Sequence, residues 1–246
     1  MPPFIYKSYM NVLIPMAGAG TRFLNKGIQV PKPLAEILGE PMISRVVKSL
    51  GMDANYIYVV RTEHYHTYDL KELLNDLTPG CKIVLTDKLT EGAACSALLA
   101  SDYINNTEKL LISDSDSIVN FDKDFLNYQI DGGILTFMDD NPCWSFVDSK
   151  SFDSAITKVA EKEPISNFAS SGRYYWSRGQ DFVSFAQKMI SNNIRIKNEF
   201  YISPVYNLAI ESGLKIWNIP VNEFYNLGTP EDLNEFIKKI SSNYLG

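Results

Sequence analysis

The feature of this sequence that most constrains its fold is a short apolar segment that runs directly into a glycine-rich loop. Residues 12–14 read Val-Leu-Ile, and residues 17–22 read Ala-Gly-Ala-Gly-Thr-Arg. A glycine-rich turn after a strand lets backbone N–H groups approach a polyphosphate without a Cβ in the way. The segment therefore predicts an α/β fold with a phosphate-binding loop. The residues predicted to line this loop are Ala17, Gly18, Ala19, Gly20 and Thr21.

Two cations accompany the phosphate-binding loop. Arg22 ends the loop, and Lys32 follows further along the chain between Pro31 and Pro33. A guanidinium fork matches phosphate oxygens, and a loop stiffened by prolines can return a second cation to the same place. The loop is not a Walker A sequence, and Phe23 stands where a dinucleotide fingerprint needs its third glycine. Arg22 and Lys32 are therefore predicted to be catalytic residues that hold a nucleoside triphosphate.

Strand-like and helix-like segments alternate through the first half of the chain. The strand-like runs there are residues 12–15, 56–60, 82–85 and 109–112. This alternation predicts βαβ units and a mostly parallel sheet flanked by helices. From residue 133 onward the strand-like segments are shorter, which predicts antiparallel additions beside a substrate pocket. We expect a single domain over residues 10–246, preceded by an N-terminal extension at residues 1–9.

Composition excludes several classes of function. The 246 residues carry a formal net charge of −6, so the chain lacks the positive charge that nucleic acids or anionic membranes attract. No apolar run reaches the length of a membrane span. Cys81, Cys95 and Cys143 are far apart and form no metal-binding spacing, which favours a reduced, cytoplasmic location. His64 and His66 lack a third ligand nearby and are expected at the surface.

A pair of carboxylates follows another apolar run. Residues 110–112 are Leu-Leu-Ile, and Asp114 and Asp116 come directly after them. Ligands of open α/β sheets bind at the carboxyl ends of the strands, and Mg²⁺ prefers carboxylate, phosphate and water oxygens. Two aspartates in such a place also fit a solvated turn. Beside a phosphate-binding loop, the metal site is the favoured interpretation.

The glycine-rich loop together with Pro-Lys-Pro-Leu at residues 31–34 resembles the signature of the sugar-phosphate nucleotidyltransferases. This family includes glucose-1-phosphate thymidylyltransferase and related sugar-nucleotide pyrophosphorylases. The resemblance extends from residue 10 to about residue 236. It implies a Rossmann-like fold of the GT-A type, with Mg²⁺ as cofactor and with an NTP and a sugar 1-phosphate as substrates. Members range from monomers to tetramers, so homo-oligomerisation is left open.

The resemblance also assigns metal ligands. Relatives hold the metal with the Asp of a strand-end Asn-Gly-Asp, which matches Asp116 here and puts Asp114 in the place of the Asn. A second carboxylate usually precedes a Gly-Thr pair near the C-terminus, and the matching residue is Asn226. An amide oxygen can bind Mg²⁺ without contributing charge. Either Asn226 binds weakly, or Glu223 takes its place, or Asp114 compensates.

Further residues are implied at the two substrate subsites. In relatives a glycine-containing loop that opens a helix lines the nucleobase, which here is the segment with Glu91, Gly92 and Ala93. An ordinary close-packed helix start is the alternative, and Arg61 could face the same pocket or the solvent. For the sugar phosphate, the residues matched to the family motifs are Glu161, Lys162, Gly172 and Glu199. Lys162 would hold the phosphate, although Glu163 is inserted before the proline of that motif.

The predicted reaction is attack of a phosphate oxygen on the α-phosphorus of an NTP, with release of pyrophosphate. A glycosyltransferase of the same fold class is the main alternative, because Asp114-Ser115-Asp116 is a D-x-D sequence. The phosphate-binding loop argues against it, since a glycosyltransferase has no triphosphate tail to hold. A non-catalytic nucleotide-sugar regulator is a further alternative, supported by Asn226 alone. The sequence specifies neither the base nor the phosphorylated acceptor.

Overall fold

A computed structural model describes residues 10–243, with side chains to residue 242, so the predicted N-terminal extension lies outside the described residues. The strands are β1 (Met10–Pro15), β2 (Glu36–Ile37), β3 (Glu40–Pro41), β4 (Asn55–Arg61), β5 (Lys82–Thr86), β6 (Lys109–Ser113), β7 (Ser117–Asn120), β8 (Gly132–Met138), β9 (Ser145–Ser149), β10 (Ser154–Glu161), β11 (Phe168–Trp176), β12 (Ile216–Pro220) and β13 (Glu223–Asn226). The helices are α1 (Thr21–Leu24), α2 (Met42–Leu50), α3 (Thr62–Thr67), α4 (Leu70–Leu77), α5 (Ala93–Leu98), α6 (Ser101–Ile104), α7 (Gly179–Ser191), α8 (Val205–Glu211) and α9 (Pro230–Asn243).

The first half of the chain builds the parallel part of a nine-stranded sheet. Strands β5, β4, β1 and β6 lie side by side in that order, and each neighbouring pair is parallel. The mixed α/β fold and the parallel units predicted from the alternating pattern are confirmed. Because parallel strands share one carboxyl edge, the loops that follow β1 and β6 come out next to each other.

The second half extends the same sheet with mainly antiparallel pairs. Strand β11 runs antiparallel to β6 on one side and to β8 on the other, and β12 pairs with β8 in parallel. Strand β10 joins β12 to β9, and β9 returns to β11 through the pair Ala169–Phe146. Strands β11, β8, β12, β10 and β9 therefore form a closed ring. The antiparallel region expected from the sequence is present, with one parallel pair inside it.

Apolar helix faces cover both sides of the sheet. On one side α7 presents Phe182 and Ala186, spaced for one face of a helix, to a core cluster that also contains Trp176. On the other side Val47 of α2 and Leu74 of α4 pack in a second cluster. A smaller cluster packs α1 and α2 against α9.

Several short elements differ from the sequence expectation. The helix expected over residues 93–104 is divided into α5 and α6, because the backbone at Ala100 leaves the helical conformation (φ −92°, ψ 14°). The two-stranded sheet of β7 and β13 was not predicted, since it joins residues as distant as Asn120 and Glu223. His64 and His66 lie on α3, where neither is buried. Among residues 10–243, no helix is both long enough and apolar enough to cross a membrane.

Candidate active site

The glycine-rich loop leaves β1 at the carboxyl edge of the sheet. Met16 N donates to Val59 O of β4 at 2.9 Å, which anchors the start of the loop. Within residues 10–243, no backbone–backbone hydrogen bond uses the N–H groups of Gly18, Ala19 or Gly20. Gly20 has φ +63°, and a Cβ built on it would lie 3.6 Å from Lys32 Cβ, so the two predicted phosphate-binding loops are in contact. Backbone N–H groups are thus available to an anion there.

Lys32 and Asp116 meet at the centre of the site. Lys32 opens a 3-10 turn, in which Leu34 N donates to Pro31 O at 2.8 Å. Its ammonium group donates to Asp116 Oδ2, although the two residues are 84 positions apart in the sequence. The Lys32 and Asp116 side chains are 18% and 26% exposed, so both remain accessible. Arg22 is exposed on α1, ten residues before Lys32 in the sequence.

Asp114 lies deeper than Asp116. Its N–H donates to Gly172 O at 3.0 Å, and Gly172 has φ +73°. A Cβ on Gly172 would lie 2.1 Å from Asp114 Oδ2, so only glycine leaves room for this carboxylate. Burial, and then the charge of Asp116, raise the pKa of Asp114 to about 7, while Arg173 acts against the shift. Both aspartates are half-buried, and Asp114 is the one whose pKa is raised by desolvation.

Asn226 lies beside Asp116, but its side chain turns to another acid. Strand β13 places Asn226 opposite Ser117, and the following Leu227 N donates to Asp116 O at 2.8 Å. The Asn226 amide donates to Asp232 Oδ2 at 2.6 Å. Its oxygen accepts the N–H of residue 228 at 3.0 Å. Both ends of the amide are thus engaged at the start of α9.

The described residues contain no group of three or more His, Cys, Asp or Glu side chains arranged to hold a metal ion. Asp116, backed by Asp114, is the carboxylate position at the phosphate-binding loop. Mg²⁺ is commonly bound through one or two carboxylates and completes its shell with substrate phosphates and water. The donor set fits such an ion, and the role of Asp116 as its protein ligand stays a prediction.

The predicted nucleobase segment is packed against residue 200. Gly92 has φ +141°, and a Cβ there would lie 2.4 Å from Phe200 O. Phe200 N donates to Glu91 O at 2.9 Å, and Glu91 forms a 2.5 Å ion pair with Arg195. Close packing alone therefore requires the glycine, and contact of Glu91, Gly92 and Ala93 with a base stays a prediction. Arg61 forms an ion pair with the neighbouring Glu63 at 3.2 Å.

The predicted acceptor residues Glu161 and Lys162 lie at the end of β10. Glu161 accepts hydrogen bonds from Ser145 Oγ and, at 2.7 Å, from Ser203 Oγ. Lys162 has φ +59°, which turns its side chain out of the strand, and its ammonium group bonds the Tyr201 hydroxyl. The same ammonium lies 4.4 Å from the centre of the Tyr201 ring. The Lys162 ammonium group is thus held against Tyr201.

Tyr174 lies near both Asp114 and Glu161. Burial raises the pKa of its hydroxyl, and the charges of Asp114 and Glu161 raise it further, so both carboxylates lie near it. Glu199, in contrast, is exposed, and its backbone pairs with Ile196. Sequence reasoning missed the residues that hydrogen bond Glu161 and Lys162, which are Ser145, Ser203 and Tyr201. No local spacing marks them, because each contacts a partner far away in the chain.

The fold and this site define an α/β protein whose glycine-rich loop and Lys32–Asp116 contact lie at the carboxyl edge of its parallel strands. Comparison with known proteins specifies the family, because the profile of the nucleotidyl transferase family matches residues 11–243. The chain belongs to the nucleotidyl transferase family.

Relatives and solved structures agree with this assignment. "Bifunctional protein GlmU" of Methanococcus vannielii is 24% identical over 253 residues, which cover 96% of this chain and 57% of that protein. The GlmU protein of Thermodesulfovibrio yellowstonii is 27% identical, over 92% of this chain and 51% of that protein. The chain therefore spans little more than half the length of these relatives.

Two solved structures illustrate the shared fold. A nucleoside-diphosphate-sugar pyrophosphorylase from Vibrio cholerae RC9 superposes with a TM-score of 0.84 at 23% identity, covering 92% of this chain and 99% of that one. The inositol-1-phosphate CTP transferase from T. maritima gives a TM-score of 0.74 at 20% identity, covering 96% and 97% of the two chains. At these identities the likeness concerns the fold.

Proposed function

We propose that this protein transfers a nucleotidyl group from an NTP to a sugar 1-phosphate or a similar phosphorylated small molecule, with release of pyrophosphate. The observation that carries the proposal is the contact between Lys32 and Asp116 beside the open N–H groups of the glycine-rich loop. A cation, a carboxylate and free backbone donors in one place suit a triphosphate and its divalent ion. The names of two solved structures of this fold, a nucleoside-diphosphate-sugar pyrophosphorylase and an inositol-1-phosphate CTP transferase, agree with it.

In this reaction the protein mainly positions its substrates and stabilises negative charge. The attacking phosphate is already ionised near neutral pH, so no general base is required. Arg22 would hold the pyrophosphate that leaves, while Lys32 would lie between the α-phosphate and the attacking phosphate. Preorganised cations at the place where charge develops are a large source of rate acceleration. Lys32 would release Asp116 when it binds phosphate.

Asp116, with Asp114 behind it, would hold Mg²⁺ on the α-phosphate side. The ion supplies charge stabilisation on the phosphate oxygens when it is bound. Lys162 would hold the phosphate of the acceptor at the rim of the site, and Tyr201 would keep the ammonium group in place. Two serine hydroxyls fix Glu161. Its carboxylate is suited to accept hydrogen bonds from the hydroxyl groups of the phosphorylated substrate.

The test is an assay of pyrophosphate release with Mg²⁺, each common NTP and a panel of sugar 1-phosphates and other phosphorylated small molecules. Release that depends on one NTP and one acceptor supports the proposal and names both substrates. Lys32→Ala should then lower turnover by about a hundredfold or more, because it removes a cation from the reacting phosphates. The matched control is Lys48→Ala, which removes a surface lysine paired with Glu40 and should leave turnover unchanged.

The same assay separates the alternatives. A glycosyltransferase would release no pyrophosphate from any NTP and would instead consume a sugar nucleotide. A non-catalytic regulator would bind a nucleotide or a sugar nucleotide, detected by thermal stabilisation, without any turnover. Wild-type turnover in Lys32→Ala would contradict the role given to this residue.

A further inference from the structure

Arg173 is a fully buried arginine that directly follows Gly172 in the candidate active site, and the mechanism above gives it no role. Its side chain is 0% exposed, and it lies on β11 opposite Ser113, the residue before Asp114. An ionised group in the interior loses its hydration, and this loss is offset only by hydrogen bonds and opposite charges. The contacts of Arg173 therefore need an explanation.

The guanidinium group directs its strongest hydrogen bonds to one residue. Nη1 donates to Ser117 Oγ at 2.9 Å, and Nη2 donates to Ser117 O at 2.7 Å. Longer contacts run from Nη1 to Gly172 O at 3.3 Å and Ser171 O at 3.4 Å. Every acceptor in this set is a neutral oxygen, and Nε is buried without a partner among the described residues. The guanidinium group therefore hydrogen bonds Ser117 rather than a carboxylate.

The charge of Arg173 nevertheless acts on the acidic pair. Burial lowers the pKa of its guanidinium to about 10, whereas Asp114 and Asp116 raise it, so the group is a cation at neutral pH. A residue needed only to neutralise these carboxylates would best form a direct ion pair with one of them. Its donors reach Ser117 instead, which indicates a second, geometric role.

That geometric role concerns residues 114–117, which we call the acidic loop and which join β6 to β7. At one end Asp114 N donates to Gly172 O at 3.0 Å. At the other end Ser117 is held by the fork of Arg173. Two neighbouring residues of β11 thus fix both ends of the loop, and Asp116 lies between the fixed points.

We propose that Arg173 is a positioning residue, which fixes the acidic loop and thereby holds the carboxylate of Asp116 at Lys32. The proposal rests on the proposed function, because it concerns the same carboxylate. Only a planar fork can hold the side-chain and main-chain oxygens of Ser117 at once, so lysine is not an equivalent residue here. The positioning role and a purely electrostatic role of Arg173 predict opposite changes in metal affinity. Loss of a nearby cation should strengthen metal binding by attraction alone, whereas a loosened Asp116 should weaken it.

The experiment compares three variants, Arg173→Lys, Arg173→Met and Ser117→Ala, with the control Arg45→Met. Arg45 is half-buried on α2 and donates to Ile37 O at 3.0 Å, away from the acidic loop. The first measurement is hydrogen–deuterium exchange of the backbone amides in residues 114–117. We expect exchange about tenfold faster in the three variants and unchanged in the control. Should Arg173→Met fail to fold, the other two variants give the same comparison.

The second measurement is a calorimetric titration of Mn²⁺ in the presence of pyrophosphate. We expect the affinity for Mn²⁺ to fall by about tenfold in Arg173→Met, against the direction of the lost charge. Where turnover is found, kcat should fall while the KM of the NTP stays within about threefold. Unchanged exchange of the acidic loop in both Arg173→Lys and Ser117→Ala would overturn the positioning role. Absence of pyrophosphate release by the wild type would instead count against the proposed function, since exchange is read without turnover.

Discussion

Replacing Gly172 by alanine tests how closely β11 approaches the side chain of Asp114. Gly172 has φ +73°, and an added Cβ would lie 2.1 Å from Asp114 Oδ2, 2.7 Å from its Cγ and 3.1 Å from its Cβ. Rotation of the carboxylate can move Oδ2 and Cγ away, but it leaves the contact of the two Cβ atoms, so Asp114 must also shift. The left-handed backbone costs alanine about 1–2 kcal/mol, and forced repacking of a buried side chain adds about 1–3 kcal/mol. We expect Gly172→Ala to lower the free energy of unfolding by about 2–5 kcal/mol.

A matched glycine separates the two contributions. Gly213 has φ +87°, but a Cβ there would meet no atom within 4 Å. Gly213→Ala should therefore lose only the backbone contribution, about 1–2 kcal/mol. The assay is urea unfolding of both variants and the wild type at one pH, with circular dichroism as the readout. Equal losses in the two variants, within about 0.5 kcal/mol, would refute the close approach of residue 172 to Asp114.

Three further predictions concern charge, substrate binding and a helix start. Because burial and Asp116 raise the pKa of Asp114 from 3.8 to about 7, the native state binds its proton more tightly than the unfolded chain. Its contribution to the free energy of unfolding is thus full below about pH 4 and falls by about 1 kcal/mol per pH unit up to about pH 7. Chemical denaturation across this range should show that slope in the wild type relative to Asp114→Asn. Lys162→Met should raise the KM of the phosphorylated acceptor by about tenfold or more in initial-rate assays, with little change in the KM of the NTP. Thr229→Ala should lower the free energy of unfolding by about 1 kcal/mol in urea titrations, because Thr229 Oγ1 accepts the Asp232 N–H at 3.1 Å at the start of α9.

The parts of the fold that the sequence predicted are those with a strong local signal. The apolar run before the glycine-rich loop became β1, and the run before Asp114 became β6. The meeting of Lys32 with Asp116 follows from a general rule, since loops after neighbouring parallel strands share one edge. The proximity of Lys32 and Asp116 could therefore be predicted from two separated motifs.

The remaining contacts depend on pairings that no local pattern specifies. The amide of Asn226 donates to Asp232, a contact that its place before a Gly-Thr pair does not specify, and its role at a metal stays a prediction. Glu199 matched a motif and nevertheless lies exposed. Arg173 reads as an ordinary strand residue, because its partner Ser117 lies 56 positions away. Short strands such as β7 and β13 also lack a local sequence signal, since each is stabilised by pairing with the other.

Closure of β9 onto β11 also affects how this wide sheet meets other molecules. Within residues 10–243, the nine-stranded sheet has one open edge, at β5, because the ring leaves no free strand at its other end. Unpaired strand edges invite pairing with other chains, and proteins guard them with short strands and lysine. Strand β5 is five residues long and starts with the exposed Lys82. The sheet is thus protected from edge-to-edge aggregation by closure on one side and by a short, charged strand on the other.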